Sequence, residues 1–563
     1  MRVWPTVVCG TLLSSAATPA PVVMAGPQGS GSWHENPRFG FKFRPPKKWS
    51  EIPLKRGEQW MVAKYMSDKT YFYTDKDDGW TWEHRPELIV VAFVDAVVNK
   101  KRAEEKVDTD GDGRTDATFV ADAAPYRDYE DFLDRTYTGG GFYIDDKDVE
   151  EAQGARVTKY SIKVEKLALT GPKRITTWVY HSPEVDFAAQ VEVLEDEYSK
   201  LERLVEGALK SFQFIEREGE LPTGSGDTWS DLGFITIEEM AAGTPEDRRK
   251  ARLESEKREH EEAIAGLAEG WEHEMVGDVL VLHHDELDHA RRVAEHLSAF
   301  REWLEDTFEH VGKDEYVRKP ILRMCKDFEE ENSFAKGHRG GDYGWYSTGI
   351  ELVTHDDEGG FLDSWEVGWC NQRFLDHWFH ERDRDLYDAM PRWLRQGMLG
   401  YLDGARAKGK KIEFRSDDWS RDDLRLMVSQ GRATPPRELM MLTSAEFFGN
   451  DASVFDRMDE AQGLVRFMLS PEGQRNKLVR DTLLSYLQNL DAVVGEMEKN
   501  DDGKAETVEP KTEQEEEEMY RKRQESWSKR EKQVLEDVFF RTFRTWSDRD
   551  WKKFEKAYFD YVG

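Results

Sequence analysis

Four aspartates within nine residues carry oxygen donors at a spacing that suits calcium. Asp108, Asp110, Asp112 and Asp116 stand at positions 1, 3, 5 and 9 of a loop whose sixth residue is Gly113, the front half of an EF-hand-type pattern. The twelfth position is Phe119 instead of a bidentate Glu. The pattern therefore reads as a solvated acidic hairpin turn, with weak calcium binding as the alternative. A second candidate lies in Ser364 to Asp403. Val367, Cys370, Asn371, Phe374, Leu375 and Trp378 recur at the three- and four-residue spacing of one helical face. Asn371 thus interrupts an apolar stripe, where an amide costs free energy unless it is hydrogen-bonded. A following helix opens with Pro391, favoured in a first turn, and sets Gly397, Gly400 and Gly404 along one side with Gln396 at the border. Other titratable groups read as solvated. His377 with Glu381 and Asp376 with His380 are four apart, as surface helix pairs are. His283, His284 and His289 read as a strand end and a helix start in acidic surroundings.

The spacing in Ser364 to Asp403 resembles the core of the gluzincin zinc peptidases. Those enzymes carry HExxH on one helix and, some twenty residues on, a Glu inside W-[LV]-x-E-G-[LM]-x-x-Y-[LF]. Here Trp393-Leu394-Arg395-Gln396-Gly397-Met398-Leu399-Gly400-Tyr401-Leu402 fits the second motif everywhere but at the Glu. Asn371-Gln372-Arg373-Phe374-Leu375 then stands where HExxH would. The resemblance implies zinc ligands at 371, 375 and 396 and a general base at 372. This chain offers Asn371, Leu375, Gln396 and Gln372 there, so it implies a peptidase fold without zinc or catalysis. It further implies that Gln396 reaches Asn371 and satisfies both amides. A fold of this kind can still hold an extended peptide along a sheet edge. A hydrolase working through other residues is the alternative.

The elements that must position these residues divide into two folded units. At 563 residues the chain exceeds one core. Residues 1–25 read as a secretory signal, with Arg2 ahead of a short apolar run and Val23-Met24-Ala25 at the cleavage point, which predicts export. Residues 33–217 read as an α+β domain, with strand candidates at Trp60–Tyr65, Leu88–Val94, Ala155–Val164, Ile175–His181 and Phe187–Val193, closed by a helix through Leu201, Leu204, Val205, Ala208, Leu209 and Phe212. With GFKFRPPKKW at its front and LVEGALKSFQF at its back, this segment resembles PsbP/Mog1-like modules, which implies a docking role. Residues 218–270 read as a linker with a mostly solvated charged helix. Residues 271–563 are predicted as a mostly helical unit with a small sheet, carrying an acidic low-complexity insert at 499–530. The whole is therefore expected to be α+β.

Composition narrows the partners. Lys and Arg total 80 against 113 Asp and Glu, a net charge of −33 that opposes nucleic acid and anionic lipid surfaces. No apolar run reaches the ~20 residues of a membrane span. A protein or peptide partner fits best, and the oligomeric state is left open. Beyond Cys9 only Cys325 and Cys370 remain, too few for a disulfide framework although one bridge is open to them.

Overall fold

The structure, a computed structural model, describes most of residues 32–94, 126–221, 243–335, 350–355, 366–449, 454–501 and 529–563. The predicted signal, the Asp108–Asp116 loop and most of the acidic insert lie outside the described residues. The fold is α+β, as expected.

Short strands β1 (His34–Asn36), β2 (Phe41–Phe43) and β3 (Trp49–Glu51) lead into β4 (Met61–Ser67), the hairpin β5 (Tyr71–Thr74) and β6 (Thr81–His84), and β7 (Glu87–Val94). Helix α1 (Tyr129–Thr136) is followed by β8 (Phe142–Ala152), β9 (Ala155–Val164), β10 (Lys173–Tyr180) and β11 (Val185–Leu194), then α2 (Glu195–Leu209) and β12 (Gln213–Phe214). Seven of these strands form an antiparallel sheet in the order β3-β4-β7-β11-β10-β9-β8. Side chains alternate across a strand, so β11 sends Phe187, Ala189, Val191 and Val193 to one face and Ala188 to the other. The first face packs under α2 and the β1-β2-β12 sheet, and the second under α1. Sequence reading found β7, β9, β10 and β11 but not β8. That edge strand reads FYIDDKDVEEA and is exposed along most of its length, so no apolar alternation marks it.

Helix α3 (Pro245–Ala265) precedes the second sheet. Hairpin β13 (Glu272–Val276) and β14 (Val279–His283) is antiparallel, and β15 (Ile321–Cys325) and β16 (Glu351–His355) add in parallel, giving the order β13-β14-β15-β16. Parallel strands covered on both faces read as continuous apolar runs, and VLVL in β14 does. Its Val279 and Val281 face α4 (Leu287–Thr307), while Leu280 and Leu282 join Trp271, Phe334 of α5 (Phe328–Ala335), and Ile52 and Met66 of the first unit. The two units are thereby in contact. Lys64 of β4, fully buried, donates to Ser333 O at 2.7 Å and Phe334 O at 3.1 Å, and Arg85 pairs with Asp327 at 2.7 Å.

The remaining helices are α6 (Glu366–Asp388), α7 (Arg392–Asp403), α8 (Asp418–Ser429), α9 (Pro436–Leu439), α10 (Ser444–Phe447), α11 (Val454–Leu469), α12 (Pro471–Arg475), α13 (Thr482–Asp501), α14 over 529–543 and α15 (Asp548–Val562), with the hairpin β17 (Ala405–Lys408) and β18 (Lys411–Phe414) between α7 and α8. Helix α6 breaks at Asp383, whose carboxylate caps the short segment after it by accepting from Leu386 N at 3.0 Å. The glycine side of α7 admits a close neighbour, as expected, and that neighbour is α11. A Cβ on Gly397 would fall 2.5 Å from the Ala461 carbonyl.

The charged helix α3 corrects the sequence reading. Arg252, Ser255, Glu256, Glu259 and Ala263 are buried, so the helix is clamped into the second unit through its charges. Arg318, fully buried, donates to Glu381 at 2.7 and 3.0 Å and to Ser255 Oγ at 2.9 Å, and pairs with Glu259. Arg252 reaches Asp314 at 2.9 Å and Glu381 at 3.1 Å. Burial alone would raise the Glu381 pKa, but Arg318, His377 and Arg252 hold it well below the usual carboxylate range. His377 and Glu381 are therefore interior groups and not the surface pair their spacing suggested. His283 and His289 are buried as well.

Candidate functional site

The helix pair α6–α7 forms as the spacing requires. Cys370 and Leu375 enter the large core of the second unit. Cys370 and Cys325 form no disulfide and are both buried, in separate clusters.

Asn371 is fully buried and its amide is fully engaged. Nδ2 donates to Leu402 O and Ala405 O, both at 3.0 Å, with Asp403 O at 3.4 Å. Oδ1 takes a 2.6 Å hydrogen bond from His296 of α4. His296 Nδ1 accepts from Ala407 N at 3.1 Å, so its proton sits on Nε2, facing Asn371. Burial lowers the His296 pKa to about 4, outweighing the hydrogen bond it donates to Asn371, which raises it. A neutral imidazole and an amide thus clamp the end of α7 and the start of β17 onto α4. Sequence reading missed His296. It lies between Val293 and Leu297 on an apolar helical face, the same signal that singled out Asn371.

The predicted partner of Asn371 is corrected by this geometry. Asn371 faces residues 402–405, whereas Gln396 lies six positions earlier on α7, roughly 9 Å along the axis at 1.5 Å per residue. The two amides do not satisfy each other. Gln372, at the position of a general base, instead donates to Asp403 Oδ1 at 3.1 Å. The antiparallel pairing of α6 and α7 continues at Asp376, which has Arg395 at 3.9 Å.

Along this half-open seam Asp376 is the group with unspent chemistry. Burial raises its pKa against the pull of Arg395, His380 and Arg373. Its Oδ1 has no hydrogen-bond donor. Arg395 lies 4.2 Å above the Tyr387 ring, which fixes its plane. His380 turns away, with Nδ1 bonded to the Asp376 carbonyl at 2.8 Å. The seam presents amide, carboxyl and guanidinium groups, a set suited to hydrogen-bonding peptide or amide groups. Among the described residues no cluster of three or more His, Cys, Asp or Glu side chains is arranged to hold a metal.

No family model and no curated protein matches the sequence. Solved structures similar to part of the chain include PsbP from Synechocystis sp. PCC 6803, at 10% identity over 35% of this chain and 100% of that one, with a TM-score of 0.22. LpqN of Mycobacterium tuberculosis, involved in cell envelope biogenesis, matches at 11% identity over 34% of this chain and 87% of its own, with a TM-score of 0.20. PA94 of Pseudomonas aeruginosa matches at 7% identity over 30% and 99%, with a TM-score of 0.16. No helix among the described residues is long and apolar enough to cross a membrane.

Proposed function

We propose that this is an exported binding or scaffold protein whose second unit carries a helix pair spaced like that of a gluzincin-like peptidase, without its converging ligands or its metal chemistry. The observation that carries the reading is the fate of the would-be ligands. Asn371 is consumed by His296 and three carbonyls, and Leu375 is core. Neither side chain is available to a metal, and neutral amides are poor zinc ligands beside imidazole and carboxylate. The order β14, α4, β15, α5, β16, α6, α7, with strands ahead of the helix pair, supports this reading. The Asp108, Asp110, Asp112 and Asp116 loop adds weak calcium binding to this proposal, checked by whether Asp110→Ala abolishes a calcium-induced rise in Tm.

The test is turnover of a broad peptide and ester panel by the purified chain, with and without chelator. The proposal expects none, and chelator-sensitive turnover contradicts it. A second reading, a metal-independent hydrolase, draws on Asp376, whose pKa burial raises, the direction that a general acid requires. Turnover that survives chelator and disappears in Asp376→Asn would establish that reading instead.

A further inference from the structure

A cavity of about 240 Å³ opens where the end of α6, the start of α7, the first turn of α10, α13 and α14 meet. It lies apart from the α6–α7 seam. Ala389, Met390, Val494, Met497, Val534 and Leu535 give it apolar walls. A dry apolar cavity of ~150 Å³ already holds benzene, so this one accepts a somewhat larger body.

Its charged groups are three carboxylates, Asp385, Asp388 and Glu531, and two guanidiniums, Arg392 and Arg530. Asp385 and Asp388 line one side, and each already has a cation. Asp385 pairs with Lys313 at 3.1 Å and Asp388 with Arg384 at 3.5 Å. Glu531 is engaged by Ser444, whose N–H donates at 2.8 Å and whose hydroxyl donates at 2.5 Å. Arg392 differs. Its Nε donates to Ser444 Oγ at 3.1 Å and its plane lies 5.7 Å from the Phe448 ring, and among the described residues it has no ion pair. The Ser444–Glu531 pair therefore fixes the guanidinium by one edge and leaves the two Nη groups, the fork that matches a carboxylate. Burial and the neighbouring Arg395 disfavour the Arg392 charge, and Glu531 offsets them only in part. Arg392 and Arg395 also occupy the first turn of α7, which has no acidic residue and no side-chain cap, so the helix end adds positive potential where acids normally sit.

We propose that this cavity binds an amphipathic carboxylate, its headgroup on Arg392 and its apolar body between α13 and α14. The full chain would be titrated calorimetrically with octanoate, octyl phosphate, 1-octanol and octylammonium. Octanoate should bind at least tenfold more tightly than octanol or octylammonium. Arg392→Gln should lose at least tenfold toward octanoate and leave octanol unchanged, and Arg392→Lys should fall between, because a lysine keeps charge without the fork. Preference for octyl phosphate over octanoate overturns the carboxylate assignment. Equal binding of octanol, preference for octylammonium, no binding of any probe, or an unchanged Arg392→Gln overturns the site. Should Arg392→Gln fail to fold, the ranking of the probes on the native chain and the Arg392→Lys response decide.

Discussion

At the scale of single residues, the seam between α6 and α7 is governed by groups that the chain satisfies internally. Asn371 supplies two donors and one acceptor to a node that a leucine of similar volume cannot reproduce. Asn371→Leu takes the Oδ1 acceptor from His296 Nε2–H and one donor each from the Leu402 and Ala405 carbonyls, which keep the Gly404 N–H and Arg406 Nη1, a loss of about 1–3 kcal/mol of stability. Urea unfolding measures it directly, and a change below 1 kcal/mol would mean water replaces the amide. The same burial makes stability depend on pH. His296, His377 and His34 each have a folded pKa lowered to about 4, against roughly 6.5 unfolded. Below pH 6.5 the unfolded chain takes up protons that the folded one refuses. The contribution of these imidazoles is thus fully present above that pH and is lost as pH falls toward 4. Unfolding free energy should drop between pH 7 and 5, and His296→Gln should flatten part of that slope. A stability that rises over this interval would contradict the assignment.

At the scale of elements, helix α3 shows how charge can do the work of an apolar stripe. Glu381→Ala takes one of its carboxylate partners from the buried Arg318, which keeps Glu259, and also removes a partner of Arg252, which costs roughly 3 kcal/mol. The variant should show a large fall in Tm with loss of α3 protection in hydrogen exchange, and an unperturbed α3 would show that the helix is held by other contacts. What the sequence disclosed follows from the same physics. Strands β9, β10 and β11 and helices α4, α6 and α7 were legible because apolar side chains recur at periods of 2 and 3.6. Helix α3 was legible as a helix but not as a buried one, since Arg252, Ser255, Glu256 and Glu259 have helical spacing without hydrophobicity. Strand β8 was illegible because its neighbour β9 pairs with it through the backbone while its side chains face solvent. At the candidate site Asn371 was correctly marked as an amide in need of partners. The partners themselves were not readable, because His296 lies 75 residues away and the register of α7 on α6 is set by packing against α11.

At the scale of the molecule, Lys64, Arg85 and the buried Ile52–Met66 patch of the first unit meet α5 and the second sheet among the described residues. Such a contact holds the two units in a fixed relation. The central claim is that the second unit holds a peptidase-like helix pair with no metal chemistry. Its most direct test is elemental analysis of the full-length chain after equilibration with zinc and removal of free ions. The account predicts substoichiometric zinc that is unaffected by Gln396→Ala. One zinc per chain, lost in Gln396→Ala or Asn371→Ala, would contradict it.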